Sequence, residues 1–516
     1  MDLITKISDW IWNPLAYFAL AVGLLFTFIT RGVQFRRLPD MIRQLRQSDS
    51  GDGGLSSFQT LALTLSNRVG VGSIAGVATA ITMGGPGAML WLAVTGLLGS
   101  TCAYAEAVLA QTFKRRIHGE DRGGMPYYIR HGLKAPGLAA TIAFTAMIGY
   151  GFVFPGIQAN NIASSMNQAF SMPSWLTGLI ITAVLGIVVV GGTKRIVNVA
   201  QTVVPFMAIG YLLVAAVIIC ANISQVPDAL RMIVMAGMGT DQLFGGLVGF
   251  AVAWGVRRAV FASATGFGEG TFSAAAANTT HPGKQGIIQA FSIYIDLFMI
   301  CTATGLMIMV TGSYNVQDPA GGFLVEGAPG MIPGPNFVQQ AIDSTFNGFG
   351  SIFVAFAVLL FAFTSQVFFY YVATTNLIFL LGEKRNRVLE GAVKIGALAI
   401  AFIGSVISAD AIWAIGDIGY ALLAWMNMIA VVLLTPVVRR IVRDYDAQRK
   451  AGVDPVFTPG DLGITGATWW ENEFLERRTS GADPAATATA ATAATAATDD
   501  TPDDPSPELT LEREAQ

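Results

Sequence analysis

At 516 residues the chain is long enough for three or four soluble domains, yet 53% of it is apolar, 13% is charged and the mean hydropathy is +0.55, which excludes an ordinary cytosolic enzyme. A net charge of −3, with much of the acid near the C-terminus, gives no footprint for nucleic acid. Many of the 57 glycines lie inside long apolar segments, as they do in membrane helices, and Cys102, Cys220 and Cys301 fall within such segments too, so no disulfide framework is indicated.

A membrane-crossing helix needs about 20 mostly apolar residues. That measure predicts an all-α polytopic membrane protein with eleven spans, at 11–30, 58–83, 88–112, 138–161, 175–191, 196–221, 242–275, 286–312, 348–381, 393–408 and 411–438. The first span is 20 residues long and follows no basic stretch, so a retained helix within 1–30 is expected rather than a leader. Loops on one side, at 31–57, 113–137, 192–195, 276–285, 382–394 and 439–450, hold 23 of the 31 Lys and Arg residues, whereas the other side holds only Lys6 and Arg231. Basic loops stay cytoplasmic, so the expectation is a plasma-membrane protein with its N-terminus outside and its C-terminus inside.

Two spans depart from an uninterrupted apolar helix. The second contains Ser66-Asn67-Arg68-Val69-Gly70-Val71-Gly72-Ser73-Ile74-Ala75-Gly76, which puts polar groups, a cation and three glycines near membrane depth. Non-helical backbone is tolerated there only where protein buries it or a cavity faces it, and its freed N–H and C=O groups then become ligands. The seventh repeats the anomaly with Trp254-Gly255-Val256-Arg257-Arg258 followed by Ala262-Ser263-Ala264-Thr265-Gly266-Phe267-Gly268-Glu269-Gly270. The bland alternative for both is close helix packing through small residues. The two anomalies lie five helices apart, and an odd number of helices per repeat inverts the second copy, so broken helices at corresponding positions point to a transporter site. Between spans eight and nine, the loop 313–347 is rich in Gly and Pro and free of basic residues; it reads as a connector, with a lid as the alternative.

Several blocks in a fixed order then carry a family resemblance: Arg-Val-Gly-Val-Gly-Ser-Ile-Ala-Gly-Val-Ala-Thr-Ala-Ile at 68–81, Gly-Gly-Pro-Gly-Ala at 84–88, Tyr-Ala-Glu at 104–106, Gly-Gly-Met-Pro-Tyr-Tyr at 123–128, Gln158-Ala159-Asn160, Gly-Gly-x-Lys-Arg-Ile at 191–196, His281-Pro282 with Gln285-Gly286, and Phe-Ala-Phe-Thr-Ser at 361–365. From Trp10 to about Pro459 the chain resembles the alanine or glycine:cation symporter family. The resemblance implies a leucine-transporter-type fold with one extra N-terminal helix and two inverted five-helix repeats, 58–221 and 242–438. It further implies symport of a small neutral amino acid such as alanine or glycine with sodium or, less often, protons, and no cofactor beyond the coupling ion. Where relatives carry Asn in the first break this chain has Ser73, and the second reads Phe261-Ala262-Ser263-Ala264-Thr265-Gly266 where relatives carry larger polar groups, so a larger neutral amino acid or another small zwitterion is the alternative substrate.

Site chemistry follows from the breaks. A half-helix N-terminus suits a substrate carboxylate, and freed carbonyls suit an ammonium group or sodium. The backbone of Gly70, Gly72 and Ser73 is expected to bind substrate, with Gln158 on span four as a further polar contact or a plain interhelical bond, and Phe261 and Phe369 as apolar walls. By resemblance to the second sodium site of the leucine-transporter-type fold, Thr364 and Ser365 would join the carbonyls of Ser66 and Val69 around the cation. Ionisable residues at membrane depth are functional candidates: Arg68, Glu106, Arg257, Arg258, Glu269, Asp296 and Asp417. The simplest pairing joins Arg257 or Arg258 to Glu269 or Asp296, Glu106 is placed near the basic end where it can reach toward Lys114 and Arg115, and Glu269 could restore a carboxylate to the second break. The three histidines fall in loops, and neither a His-Glu-x-x-His zinc motif nor a phosphate-binding glycine loop is present, which argues against an enzyme. Residues 439–479 form a post-membrane segment, and 480–516, rich in Ala, Thr, Asp and Pro, reads as a disordered acidic tail.

Overall fold

The computed structural model describes residues 2–46 and 54–479; the predicted acidic tail lies outside the described residues. Among the described residues, nine helices are long and apolar enough to cross a membrane: Lys6–Ile29, Ala88–Thr112, Pro136–Phe170, Gly192–Ala221, Gly245–Ser263, Pro282–Val310, Phe349–Leu380, Arg387–Val406 and Ile412–Leu433. The shorter apolar helices Ala75–Gly84 and Ser174–Val190 fall on predicted spans two and five. Among the described residues, strand is confined to two small antiparallel ribbons, Arg115–Ile117 with Glu120–Arg122 and Asn315–Gln317 with Phe323–Glu326.

Spans two and seven break as their glycines require. Helix Ser57–Arg68 opens with a capping box, in which the Ser56 hydroxyl accepts from Gln59 N–H while the Gln59 side chain accepts from Ser56 N–H. It ends where Val69 leaves helical geometry and Gly70 becomes extended; a 3-10 turn, Val71–Ser73, leads into Ala75–Gly84. In span seven, helix Val248–Ser263 gives way to a turn with left-handed Ala264, Gly266 and Gly268, and helix Glu269–Ala276 resumes the path. The left-handed region favours glycine because it has no Cβ to collide with the following carbonyl. Spans two and seven are thus both broken, as the resemblance implies.

Two further irregularities have weaker sequence signals. Span four is two helices, Pro136–Phe152 and Phe154–Phe170, kinked at Val153 because Pro155 has no N–H and crowds the preceding turn. Span eight runs from Pro282–Ile293 through a π-helical stretch, Tyr294–Cys301, into Thr302–Val310. This widened turn places Asp296 in the bundle interior, fully buried.

The first helix packs on both ends of the sequence. Gly23 lets it approach Ala88–Thr112 so closely that a Cβ there would lie 2.7 Å from Leu98 Cβ. Trp12 Nε1 donates to the Asp417 carbonyl at 3.0 Å, Trp425 Nε1 donates to that of Ile11 at 3.3 Å, and the Phe18 and Trp425 rings stack at 5.0 Å.

Beyond the last span, helix Thr435–Lys450 leads into a strap that returns to the bundle. Trp469 and Trp470 are buried there: Trp470 Nε1 donates to the Gln111 carbonyl at 2.9 Å, and Trp469 Nε1 to Asp121 Oδ1 at 3.2 Å. Lys114 Nζ lies 3.6 Å from the centre of the Trp469 ring and donates to the Ala277 carbonyl at 2.8 Å. Burial pushes the Lys114 ammonium down to about 8, against the pull of Asp121. The sequence marks 439–479 only as a post-membrane segment, whereas most of it is packed structure.

Candidate functional site

The two breaks meet. A Cβ on Gly72 would lie 2.8 Å from Ala262 Cα and 3.2 Å from Phe261 Cδ1, so only glycine permits this approach. Nearby, Ser365 Oγ is 3.2 Å from the Ser66 carbonyl and 3.1 Å from that of Phe361, and a Cβ on Gly70 would come within 2.9 Å of it. Ser66, Gly70 and Ser365 are therefore brought together, with Val69 buried in the same unwound turn. Thr364 stands apart. Its hydroxyl donates back to the Phe361 carbonyl at 3.0 Å and lies 4.0 Å from Met207 Sδ on span six.

Ser73 is buried with its hydroxyl 2.6 Å from Asp296 Oδ1 and 3.2 Å from the Arg68 carbonyl, so its side chain is already engaged. Gln158 is buried just after the Pro155 kink, and its amide oxygen has no hydrogen-bond partner among the described residues. Phe261 and Phe369 belong to one aromatic cluster. Phe261 lies 5.3 Å from Trp413 and 5.1 Å from Tyr420, Phe369 lies 5.5 Å from Tyr150 and 6.1 Å from Phe154, and Phe154 stacks on Tyr420 at 3.7 Å.

The ionisable residues are wired differently from the sequence expectation. Arg257 pairs with Asp9 at 2.8 Å and Asp417 at 2.7 Å, and Arg258 lies 3.7 Å from Asp417; neither pairs with Glu269 or Asp296. Glu106 does not reach the basic loops. It is fully buried beside the second break, where Oε1 accepts from the Asn427 amide, which also donates to the Gly266 carbonyl, while Oε2 has no hydrogen-bond partner among the described residues. Glu269 opens the second half of the broken helix and accepts from the Asn67 amide of the first. Arg68, fully buried, donates to the Ser263 carbonyl, and the charges of Glu106, Asp296 and Glu269 act on it. Thr64 links the lower halves, 2.6 Å from Ser273 and accepting from Gln289 at 2.7 Å. Asn67 lies in the polar stretch that marks the first break, whereas Asn427, Thr64 and Gln289 carry no sequence signal, since single amides and hydroxyls are common in membrane helices.

A cavity of about 260 Å³ lies beside this centre, lined by Ala75, Thr79, Asn160, Asn161, Arg258 and Trp413 among others. Residues Ile332–Asn336 of the 313–347 loop form part of its wall. Asn160 donates to the Gly404 and Ile407 carbonyls at 3.1 and 2.8 Å, fixing one side of the cavity.

A family model described as the sodium:alanine symporter family matches residues 1–459. YrbD of Bacillus subtilis (strain 168) is 43% identical over 474 residues, covering 92% of this chain and 98% of its own. The sodium/proton-dependent alanine carrier protein of Bacillus sp. (strain PS3) is 43% identical over 435 residues, covering 84% and 98%. A solved manganese transporter of Eremococcus coleocola covers 80% of this chain and 83% of its own at 12% identity and a TM-score of 0.46, a superposition so loose that the architecture rests on this chain's own broken helices.

Proposed function

This chain belongs to the sodium:alanine symporter family, and from that premise we propose that it couples downhill flow of sodium, or of protons, to uptake of a small neutral amino acid such as alanine or glycine. It is a multi-pass membrane carrier and not an enzyme. In this reading eleven spans cross the plasma membrane, the basic loops face the cytoplasm, and the halves 58–221 and 242–438 are the inverted repeats.

The observation that carries the reading is the meeting of the two breaks at Gly72 and Ala262, beside the Ser365 hydroxyl on the Ser66 carbonyl. The substrate carboxylate would take backbone N–H groups at Gly70, Gly72 and Ser73, with Gln158 supplying its unpartnered amide oxygen to the ammonium group. Phe261 and Phe369 would limit side-chain size. Sodium, a hard cation, would sit among the oxygens of Ser66, Val69 and Ser365, with Thr364 joining after a rotamer change. Arg68 supplies one positive charge against three buried carboxylates, Glu106, Glu269 and Asp296. Such an interior is stabilised when a cation or a proton enters, because uncompensated buried charge is costly. Protons would act at Glu269 or Asp296.

Reconstituted protein in sealed vesicles tests this. Alanine accumulation against its gradient under an imposed sodium gradient is the expected result. Accumulation driven by a pH gradient and indifferent to sodium would assign the coupling to protons, and no accumulation under either gradient would refute symport. Competition by a panel of neutral amino acids separates alanine or glycine from a larger neutral amino acid or another zwitterion.

A further inference from the structure

A second cavity, of about 400 Å³, lies where the first helix meets the post-membrane helix. Leu25, Phe28 and Ile29 of the last turns of Asp2–Ile29 form one wall, and Thr435, Arg439, Val442, Arg443 and Asp446 of Thr435–Lys450 form the other. Arg31 closes the end. The chain turns there through left-handed Arg31 and Gly32, with Arg31 N–H on the Phe28 carbonyl and Gly32 N–H on that of Thr27.

The polar half of this cavity lacks a counter-charge. Its one carboxylate, Asp446, is held by Arg36 at 2.7 Å and Arg37 at 2.7 Å, both outside the lining, and these partners hold its pKa below the usual carboxylate range although burial opposes them. Arg31, Arg439 and Arg443 are exposed and make no ion pair or side-chain hydrogen bond among the described residues. The Thr435 hydroxyl, also in the lining, is buried without a partner among the described residues. Two unpaired guanidinium groups and a free hydroxyl on one wall, with the unpaired Arg31 at the end, therefore adjoin an apolar wall built from a helix long and apolar enough to cross a membrane.

We propose that this cavity is a binding site for an anionic phospholipid, with the headgroup phosphate on Arg31, Arg439, Arg443 and Thr435 and an acyl chain along Leu25 and Phe28. Guanidinium groups match phosphate bidentately, and basic pockets at the cytoplasmic ends of membrane helices are suited to anionic headgroups. Phe28 is 73% exposed and Leu25 38%, a path that a lipid tail covers and that a free anion leaves bare. The site requires only that the first helix borders the bilayer, and it is independent of the substrate and the coupling ion.

The test uses the full chain purified in a neutral detergent and titrated with phosphatidylglycerol, phosphatidylcholine or inorganic phosphate, with the unfolding midpoint and the lipid retained per protein as readouts. Phosphatidylglycerol is expected to raise the midpoint and to be retained, while the other two do neither. Each Arg→Gln change at 31, 439 or 443 should weaken retention about fivefold, at ~1 kcal/mol per basic residue, and the triple change on the order of a hundredfold. The triple variant's midpoint without lipid, matched to the wild type, shows that it is folded; where that fails, the single Arg443→Gln variant gives the readout. Equal retention by the triple variant, an equal shift with phosphatidylcholine or phosphate, or binding that appears only after the 480–516 tail is removed would each overturn the proposal, the last by making the acidic tail the occupant.

Discussion

Replacing Gly72 by alanine would place a methyl group 2.8 Å from Ala262 Cα, 3.2 Å from Ala262 Cβ and 3.2 Å from Phe261 Cδ1. Carbon atoms settle at about 3.5–4.0 Å, so the closest contact overlaps by roughly 0.7–1.2 Å with a backbone atom that cannot rotate away. Relief requires the two broken segments to separate. Overpacking of this kind costs about 1–3 kcal/mol, which corresponds to roughly a 5- to 150-fold change in any equilibrium that needs the contact. Gly76, a few residues along the same span, is the control: its nearest outside atom is Arg258 Cδ at 3.9 Å, an ordinary contact. There alanine gains about 0.5–1 kcal/mol of helix stability. The assay compares initial alanine uptake and unfolding midpoint for Gly72→Ala and Gly76→Ala. Uptake in Gly72→Ala should fall by at least fivefold while Gly76→Ala matches or exceeds the wild-type midpoint. If Gly72→Ala keeps both the rate and the midpoint of its control, the contact between the breaks does not matter in the way the geometry implies.

Ser365→Ala should raise the sodium concentration for half-maximal uptake about tenfold, since a lost oxygen ligand is worth roughly 1–1.5 kcal/mol, whereas Thr364→Ala should shift it less; equal shifts measured by sodium titration would place both hydroxyls at the cation. Asp417→Ala leaves Arg257 and Arg258 short of their shared buried carboxylate and should destabilise by about 3–5 kcal/mol, whereas Asp9→Ala, whose side chain is 45% exposed, should cost under about 1 kcal/mol. Denaturant unfolding that ranks the two equally would contradict this. His281 accepts from Gly283 N–H through Nδ1 at 2.9 Å, and burial holds its pKa below the ordinary value although Asp444 opposes this. The unfolded chain therefore takes up that proton first as pH falls. The contribution is intact above about 6.5 and declines below it, so the unfolding midpoint of wild type should fall more steeply than that of His281→Asn between neutral and mildly acid pH; parallel curves would exclude the histidine.

Both breaks were legible because glycines, an arginine and side-chain amides have no use inside a smooth apolar helix, and that signal is local. Partner choice was not local. Arg257 meets Asp9 and Asp417, at 248 and 160 residues' separation, where the sequence offered the nearer Glu269. Glu106 looked close to the basic end by counting along span three, but that end is itself covered by the ribbon at 115–122 and by Trp469 and Trp470 of the strap, and its carboxylate turns instead to the Asn427 amide of the last span. Thr364 and Ser365 are adjacent in sequence, yet a helix turns 100° between neighbours, which sends one hydroxyl toward the first break and the other toward Met207. The kink at Val153 was readable from Pro155; the π-helical turn that delivers Asp296 has no comparable marker.

The ties of the first helix also set an order of assembly. Trp12 and Ile11 find their indole-bond partners 405 and 414 residues later, and Arg257 is satisfied from both directions, by Asp9 behind it and Asp417 ahead. A ribosome adding roughly 5–20 residues per second needs on the order of 20–80 s to travel from Trp12 to Asp417. Throughout that interval the first helix lacks the partners that Trp12 and Ile11 have in the finished fold. Truncation before residue 417 leaves the buried Arg257 without its nearest carboxylate, so helix Ala409–Leu433 is the element that closes the ring of ties begun by the first helix.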